Sequence, residues 1–129
     1  MNLLLDTHAL VWWLTAPEQL NDASRDAIGD PGNAIHISVA SVWELAIKVG
    51  LGKLPVPPDL ASWLPDQLSR ERLVTLPITM DHALAVEQLP PHHRDPFDRL
   101  LIAQALAEDL AIVSRDRVFQ VYPVRLLPC

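Results

Sequence analysis

The chain has 129 residues, 50% of them hydrophobic and 20% charged, which suits one domain around one core and excludes a disordered chain. Its formal net charge of −6 argues against a broad basic face for non-specific nucleic-acid binding, while leaving room for local positive groups. No apolar run is long enough to span a bilayer. The opening MNLLLDTHALVWWL is broken by Asp6 and His8 and lacks the marks of a signal peptide, so a soluble cytoplasmic protein with no membrane partner is expected.

NLLL reads as a short buried strand ending at Asp6. THALVWWLT suits a helix, with Pro17 as punctuation after it. NDASRDAIGD reads as a more polar helix starting after Asn21 and closed by the turn signal DPGN. AIHISV, apolar–polar alternating and β-branched, is predicted as a strand. ASVWELAIKVGLG has helical periodicity with glycines at its C-terminal end. LPVPPD is a stiff, proline-rich connection. LASWLPDQLSRE resumes helical character and is expected to be interrupted at Pro65. LVTLPI is another strand, and TMDHALAVEQL a helix capped by Thr79. After PPHHRD, in which the paired histidines read as a loop element, comes the longest apolar helix, Pro96 to Glu108. The strand AIVS, a turn around Asp116 and an edge strand VRLL complete the chain.

Strands separated by helices predict a single α/β domain over residues 1–129, a three-layer α/β/α sandwich with a mainly parallel central sheet. In such sheets ligands sit beyond the carboxyl ends of the strands. Asp6 ends the first strand, and Asp116 stands just beyond AIVS. No internal repeat or low-complexity tract is visible. The single cysteine, Cys129, supports no internal disulfide and offers no zinc site with the five histidines.

Four acids stand out, and each has an ordinary structural explanation. Asp6 is a good N-cap for the helix that begins at Thr7. Glu44 forms an i, i+4 pair with Lys48, worth about 0.2–0.5 kcal/mol on an exposed face, and Ser41 would complete a solvated stripe. In DPFD, Asp95 is a good N-cap, Pro96 fits the first helical position, and Asp98 would favour the helix dipole by about 0.3–1 kcal/mol. Asp98 is less well explained by capping, because one cap and a proline already start the helix. A carboxylate at the buried start of an apolar helix needs an arginine or a cation as partner. Asp116, in SRDRVF, reads in isolation as a surface turn. Of the ten lysines and arginines, Lys48, Arg94, Arg99, Arg115 and Arg117 lie close in sequence to these acids.

The ordered combination LLLDTHALVWWL, ISVASVWELAIKVGLGKL and HHRDPFDRLLIAQALAEDLAIVSRDRVFQVY resembles the PIN-domain ribonucleases, and closely the VapC toxins of bacterial toxin–antitoxin pairs. Together these pieces cover nearly the whole chain. The resemblance implies a metal-dependent RNA endonuclease with acids gathered at one end of a parallel sheet. Position by position, the family's acids fall on Asp6, Glu44, Asp98 and Asp116. All-oxygen ligation suits Mg²⁺, with Mn²⁺ as a substitute. Asp6, Asp98 and Asp116 would hold the metal, and Glu44 would complete its shell or deprotonate the attacking water. Thr7 would bond a ligand carboxylate or cap the first helix, and Asp95 would cap and support the site. Arg99 and Arg115 would hold phosphate or pair with neighbouring acids. The resemblance also implies a homodimer and a cognate antitoxin. Trp12, Trp13, Trp43 and Trp63 receive no catalytic part.

Two other readings compete. A haloacid-dehalogenase-type phosphatase also opens on a strand ending in Asp, but needs a second Asp two residues later, where this chain has His8. A PIN-like binding module would use the acids only as caps and ion-pair partners.

Overall fold

The computed structural model describes residues 1–129. The three leucines of β1 (Asn2–Leu5) have no exposed surface, so this strand must be covered on both faces. Its period-two alternation divides the core. Leu3 and Leu5 pack on one side, among Ala9 and Leu10 of α1 (Thr7–Thr15) and Ile35 and Ile37 of β2 (Ala34–Ser38). Leu45 of α3 (Val39–Gly50), Leu64 of α4 (Leu60–Arg70) and Ile28 of α2 (Asp22–Gly29) join the same cluster. Leu4 faces the other way, against Leu101, Ile102 and Ala105 of α6 (Pro96–Glu108) and Ile112 of β4 (Ala111–Ser114). Each fully buried leucine contributes about 1.5–3 kcal/mol.

With β3 (Val74–Leu76) and β5 (Leu126–Pro128), the strands form one sheet in the order β3-β2-β1-β4-β5, and every pairing is parallel. The expected three-layer α/β/α sandwich is therefore present, and the edge strand expected at VRLL is found as β5, starting two residues later. Register fixes the functional edge: Leu5 lies opposite Ile37 on one side and Val113 on the other. Asp6, Ser38 and Ser114 consequently stand side by side at the carboxyl ends of the three central strands. The helices α1 and α3 begin directly after β1 and β2, at Thr7 and Val39, so their positive N-terminal ends lie at the same edge.

Three local expectations are corrected. Pro65 does not interrupt α4, which runs from Leu60 to Arg70 with the proline inside it. The proline and Ala61, whose carbonyl loses its partner, are both exposed, so the orphaned group stays open to solvent rather than buried. The strand AIHISV is one residue shorter, because the Ser38 hydroxyl accepts the Ala40 amide at 3.0 Å and turns Val39 into the first residue of α3. The helix predicted across TMDHALAVEQL is α5 (Met80–Ala85) continued by a 3₁₀ turn, Val86–Gln88. A further 3₁₀ turn, Arg117–Val121, comes directly after Asp116. No helix is long and apolar enough to cross a membrane.

Candidate active site

Asp6 is the N-cap of α1 and more than a cap. Its Oδ1 accepts the Ala9 amide at 2.8 Å, and its Oδ2 accepts the Ser114 hydroxyl from the end of β4. The side chain is buried, and burial pushes its pKa up, with the Glu44 charge adding to the rise. The bonds from Ser114 and Ala9 and the nearby His8 work against that rise.

Glu44 and Ser41 overturn the expectation of a solvated stripe. Glu44 is only 9% exposed and Ser41 only 1%. The i, i+4 partner is present, with Lys48 Nζ at 3.0 Å from Glu44 Oε2, and Thr7 donates its hydroxyl to Glu44 Oε1. Thr7 thus bonds a candidate carboxylate, while the capping of α1 falls to Asp6. The burial arises because α1 and α6 pack on α3. Ser41, one turn before Glu44, has a buried hydroxyl with no hydrogen-bond partner in the protein.

At the start of α6 the roles within DPFD separate. Asp95 Oδ1 accepts the Phe97 and Asp98 amides at 2.8 and 3.1 Å, so Asp95 is the cap. Asp98 accepts no backbone amide and instead bonds His93, Nε2 to Oδ2, at 2.8 Å. Burial pushes the Asp98 carboxyl up to about 6, with the charges of Asp95 and Asp6 adding and the bond to His93 opposing. Asp6 therefore feels Glu44, and Asp98 feels Asp6: carboxylates from three segments share one electrostatic environment.

Asp116 joins that group through Ser114. Its amide donates to Ser114 Oγ at 3.0 Å, and the same hydroxyl donates to Asp6. Its exposed carboxylate caps the adjoining 3₁₀ turn by accepting the Val118 amide at 3.0 Å. It stands at the rim, whereas Asp6 and Glu44 stand inside.

Neither arginine singled out from the sequence is paired with an acid. Arg99 donates to the carbonyls of Val86, Leu89, Pro90 and His93 and to the Tyr122 hydroxyl, clamping the loop before α6 onto the helix. Arg115 donates to the carbonyls of Gln19 and Cys129 and lies over the Trp12 ring at 4.2 Å. Trp12, Trp13 and Trp63 pack against the core, whereas Trp43 is 60% exposed and meets Phe97 edge-on at 5.2 Å between centroids.

Sequence reading missed His93, Ser114, Ser38 and Gln104. Ser38 donates to Gln104 Oε1 at 2.5 Å, and Gln104 lies within hydrogen-bonding distance of the Pro77 carbonyl and His82 Nδ1. The available signals were a serine at the end of each of two central strands and a histidine two residues before a helix cap.

The donor set fits a divalent cation. Its groups are carboxylates, and burial pushes both Asp6 and Asp98 up from the ordinary carboxylate range, a shift that a bound cation would offset. Ligand atoms of His93, Asp95 and Asp98 lie within 4.8 Å of one another.

Residues 3–124 match the PIN domain. Ribonuclease VapC22 of Mycobacterium tuberculosis is 31% identical over 116 residues, covering 89% of this chain and 87% of that protein. Ribonuclease VapC16 of the same organism is 43% identical over 68 residues, covering 53% of this chain and 46%, less than half, of that relative's length. Among solved structures, VapBC2 from Rickettsia felis bound to a promoter DNA fragment superposes with a TM-score of 0.75 at 20% identity, over 99% of this chain and 98% of that one. VapBC-5 of Mycobacterium tuberculosis, from the VapBC family of toxin–antitoxin systems, gives a TM-score of 0.62 at 22% identity, over 99% and 98%. These structural likenesses show the fold; the match across residues 3–124 and the near full-length relative go further, and the chain belongs to the PIN-domain family, in its VapC branch.

Proposed function

We propose that this protein is a metal-dependent endoribonuclease, the toxin of a toxin–antitoxin pair, which hydrolyses RNA phosphodiester bonds and leaves 5′-phosphate and 3′-hydroxyl ends. One observation carries the reading: at the carboxyl edge of a parallel sheet Thr7, the neighbour of Asp6, donates to Glu44, and the Ser114 hydroxyl joins Asp6 to the Asp116 amide, so hydrogen bonds draw three separate segments together. Caps and surface pairs alone do not require that convergence.

Asp6, Asp98 and Asp116 would hold Mg²⁺, or Mn²⁺ in its place, with Glu44 completing the set. When bound, the cation supplies a polarised phosphoryl group, an acidified water and neutralisation of charge on the leaving oxygen. Alternatively to completing that set, Glu44 would orient the attacking water and take its proton at a carboxylate oxygen. Thr7 and Lys48 bond its two oxygens, which fixes the direction in which it accepts. Ser114 does the same for Asp6 and ties Asp116 to it. The relatives' names and complexes support RNA as substrate and a cognate antitoxin as partner. Val39, Trp43 and Ile47, exposed one helical turn apart on α3, give a homodimer or that partner an apolar surface.

The test is partner-free protein with a structured RNA pool in Mg²⁺, in Mn²⁺ and in chelator, beside Asp6→Asn, with product ends mapped. Metal-dependent cuts lost in Asp6→Asn are expected. Ends bearing 2′,3′-cyclic phosphate would overturn attack by water, and no cutting by folded, metal-loaded protein would favour a binding module.

A further inference from the structure

One contact beside the four acids has no part in the chemistry assigned to them. The Asp98 carboxylate has no bond from its own helix; its Oδ2 is held by an imidazole from the preceding loop, at 2.8 Å. That loop is not free. Arg99, the residue after Asp98, reaches back to the carbonyls of Val86, Leu89, Pro90 and His93, so α6 itself grips the segment that carries the histidine. Asp95, which sits between His93 and Asp98 in sequence, uses Oδ1 for two amides of α6. The His93 nitrogen and ligand oxygens of Asp95 and Asp98 form a compact group within 4.8 Å.

The proton on the imidazole decides what His93 can do. A deprotonated Asp98 accepts, so Nε2 must carry hydrogen in this contact. A nitrogen that donates to the carboxylate has no lone pair for a cation. The imidazole therefore occupies one oxygen of Asp98 and leaves Oδ1 as the coordinating atom. Asp6 is held in a comparable way by the protein, with Ala9 bonding Oδ1 and Ser114 bonding Oδ2, so each carboxylate has its direction set before any cation arrives.

We propose that His93 is a positioning residue, which orients Asp98 for one-oxygen coordination of the divalent cation without itself becoming a ligand. This rests on the metal-dependent reading of the site. Metal-site partners of this kind are worth roughly 10–100-fold in affinity. A glutamine amide extends about as far as Nε2 and can donate in its place, whereas alanine and the shorter asparagine cannot.

The experiment is Mn²⁺ titration of the whole protein monitored by electron paramagnetic resonance, in the parent, His93→Ala, His93→Asn, His93→Gln and Asp98→Asn, with melting curves in chelator to confirm folding. Expected are roughly 10–100-fold weaker Mn²⁺ binding in His93→Ala and His93→Asn, and recovery of most of that loss in His93→Gln. Electron spin-echo spectra of the bound Mn²⁺ should lack directly coordinated ¹⁴N. Equal affinity in parent and His93→Ala, or an equal loss in His93→Gln, would overturn the positioning role. Direct ¹⁴N coupling that vanishes in His93→Ala would make His93 a ligand and overturn it as well. A parent protein that binds no Mn²⁺ sinks the metal-dependent reading itself, a result distinct from either. Should His93→Ala fail to fold, the Asn and Gln pair still decides, since they differ only in reach.

Discussion

Asp6 shows what a single residue contributes to folding and what it withholds. Its Oδ1 caps α1 through the Ala9 amide, a bond worth about 1 kcal/mol, and its Oδ2 receives Ser114. The charge on that carboxylate is a separate matter, since burial raises its pKa and Glu44 raises it further. Asparagine caps as well as aspartate and can exchange bonds with a rotating Ser114 hydroxyl. Asp6→Asn is therefore expected to abolish metal-dependent RNA cleavage while melting, in chelator at neutral pH, no lower than the parent. Calorimetry beside the cleavage assay checks both halves. A variant that still cuts RNA would remove Asp6 from the site, and one that melts well below the parent would show that the charge itself serves the fold.

At the scale of elements, the helix starts were legible because capping is local chemistry. Asn21, Thr79 and Asp95 each bond amides within three residues, and no distant part of the chain is needed to place them. The strands were legible from β-branched and apolar runs, Asp6 and Asp116 from their position at strand ends, and Asp98 as a second carboxylate beyond the cap of an apolar helix, whereas Glu44 entered only through the family resemblance. What stayed hidden depends on packing between elements. Glu44 and Lys48 make the same i, i+4 pair on a buried face as on a solvated one, and only the packing of α1 and α6 on α3 distinguishes the two. His93 reaches Asp98 because the loop folds back over the start of α6, which no periodicity encodes. Gln104 is hidden for the same reason. It stands in an apolar helix yet joins Ser38 at the end of β2 to Pro77 and His82, and His82 Nε2 in turn bonds Glu108 at 2.9 Å. The Thr79 amide donates to His82 Nδ1, so Nε2 carries the proton and donates to Glu108. Replacing Gln104 by leucine keeps the volume but strands the Ser38 hydroxyl and the Pro77 carbonyl. The expected cost is roughly 1–3 kcal/mol for a buried group left without its partner. It should be read as a lower urea midpoint at unchanged slope. An unshifted midpoint would mean that water enters and repairs the network.

For the whole molecule, the site is a place where stability is given up for binding. Without a cation, Asp98 in the folded protein titrates at about 6 against an ordinary value of 3.8, and Asp6 is shifted in the same direction. Between those two pH values the folded protein keeps a proton that the unfolded chain has released. The contribution of these groups to stability is thus present below the ordinary carboxylate range and lost as pH rises through about 6. A divalent cation reverses the sign, because it binds the deprotonated carboxylates and competes with the protons. Metal binding should therefore stabilise the fold weakly below pH 6 and strongly above it. At a free concentration about 100 times the dissociation constant the gain is roughly 2.7 kcal/mol, or on the order of 10 °C in melting temperature for a domain of this size. Melting curves with Mn²⁺ and with chelator, on either side of pH 6, measure the difference directly. The expected result is a metal-induced rise that grows with pH and is lost in Asp98→Asn. A rise that is the same at both pH values would mean that the cation sits away from Asp6 and Asp98, and the four acids would then serve only as caps and as hydrogen-bond or ion-pair partners.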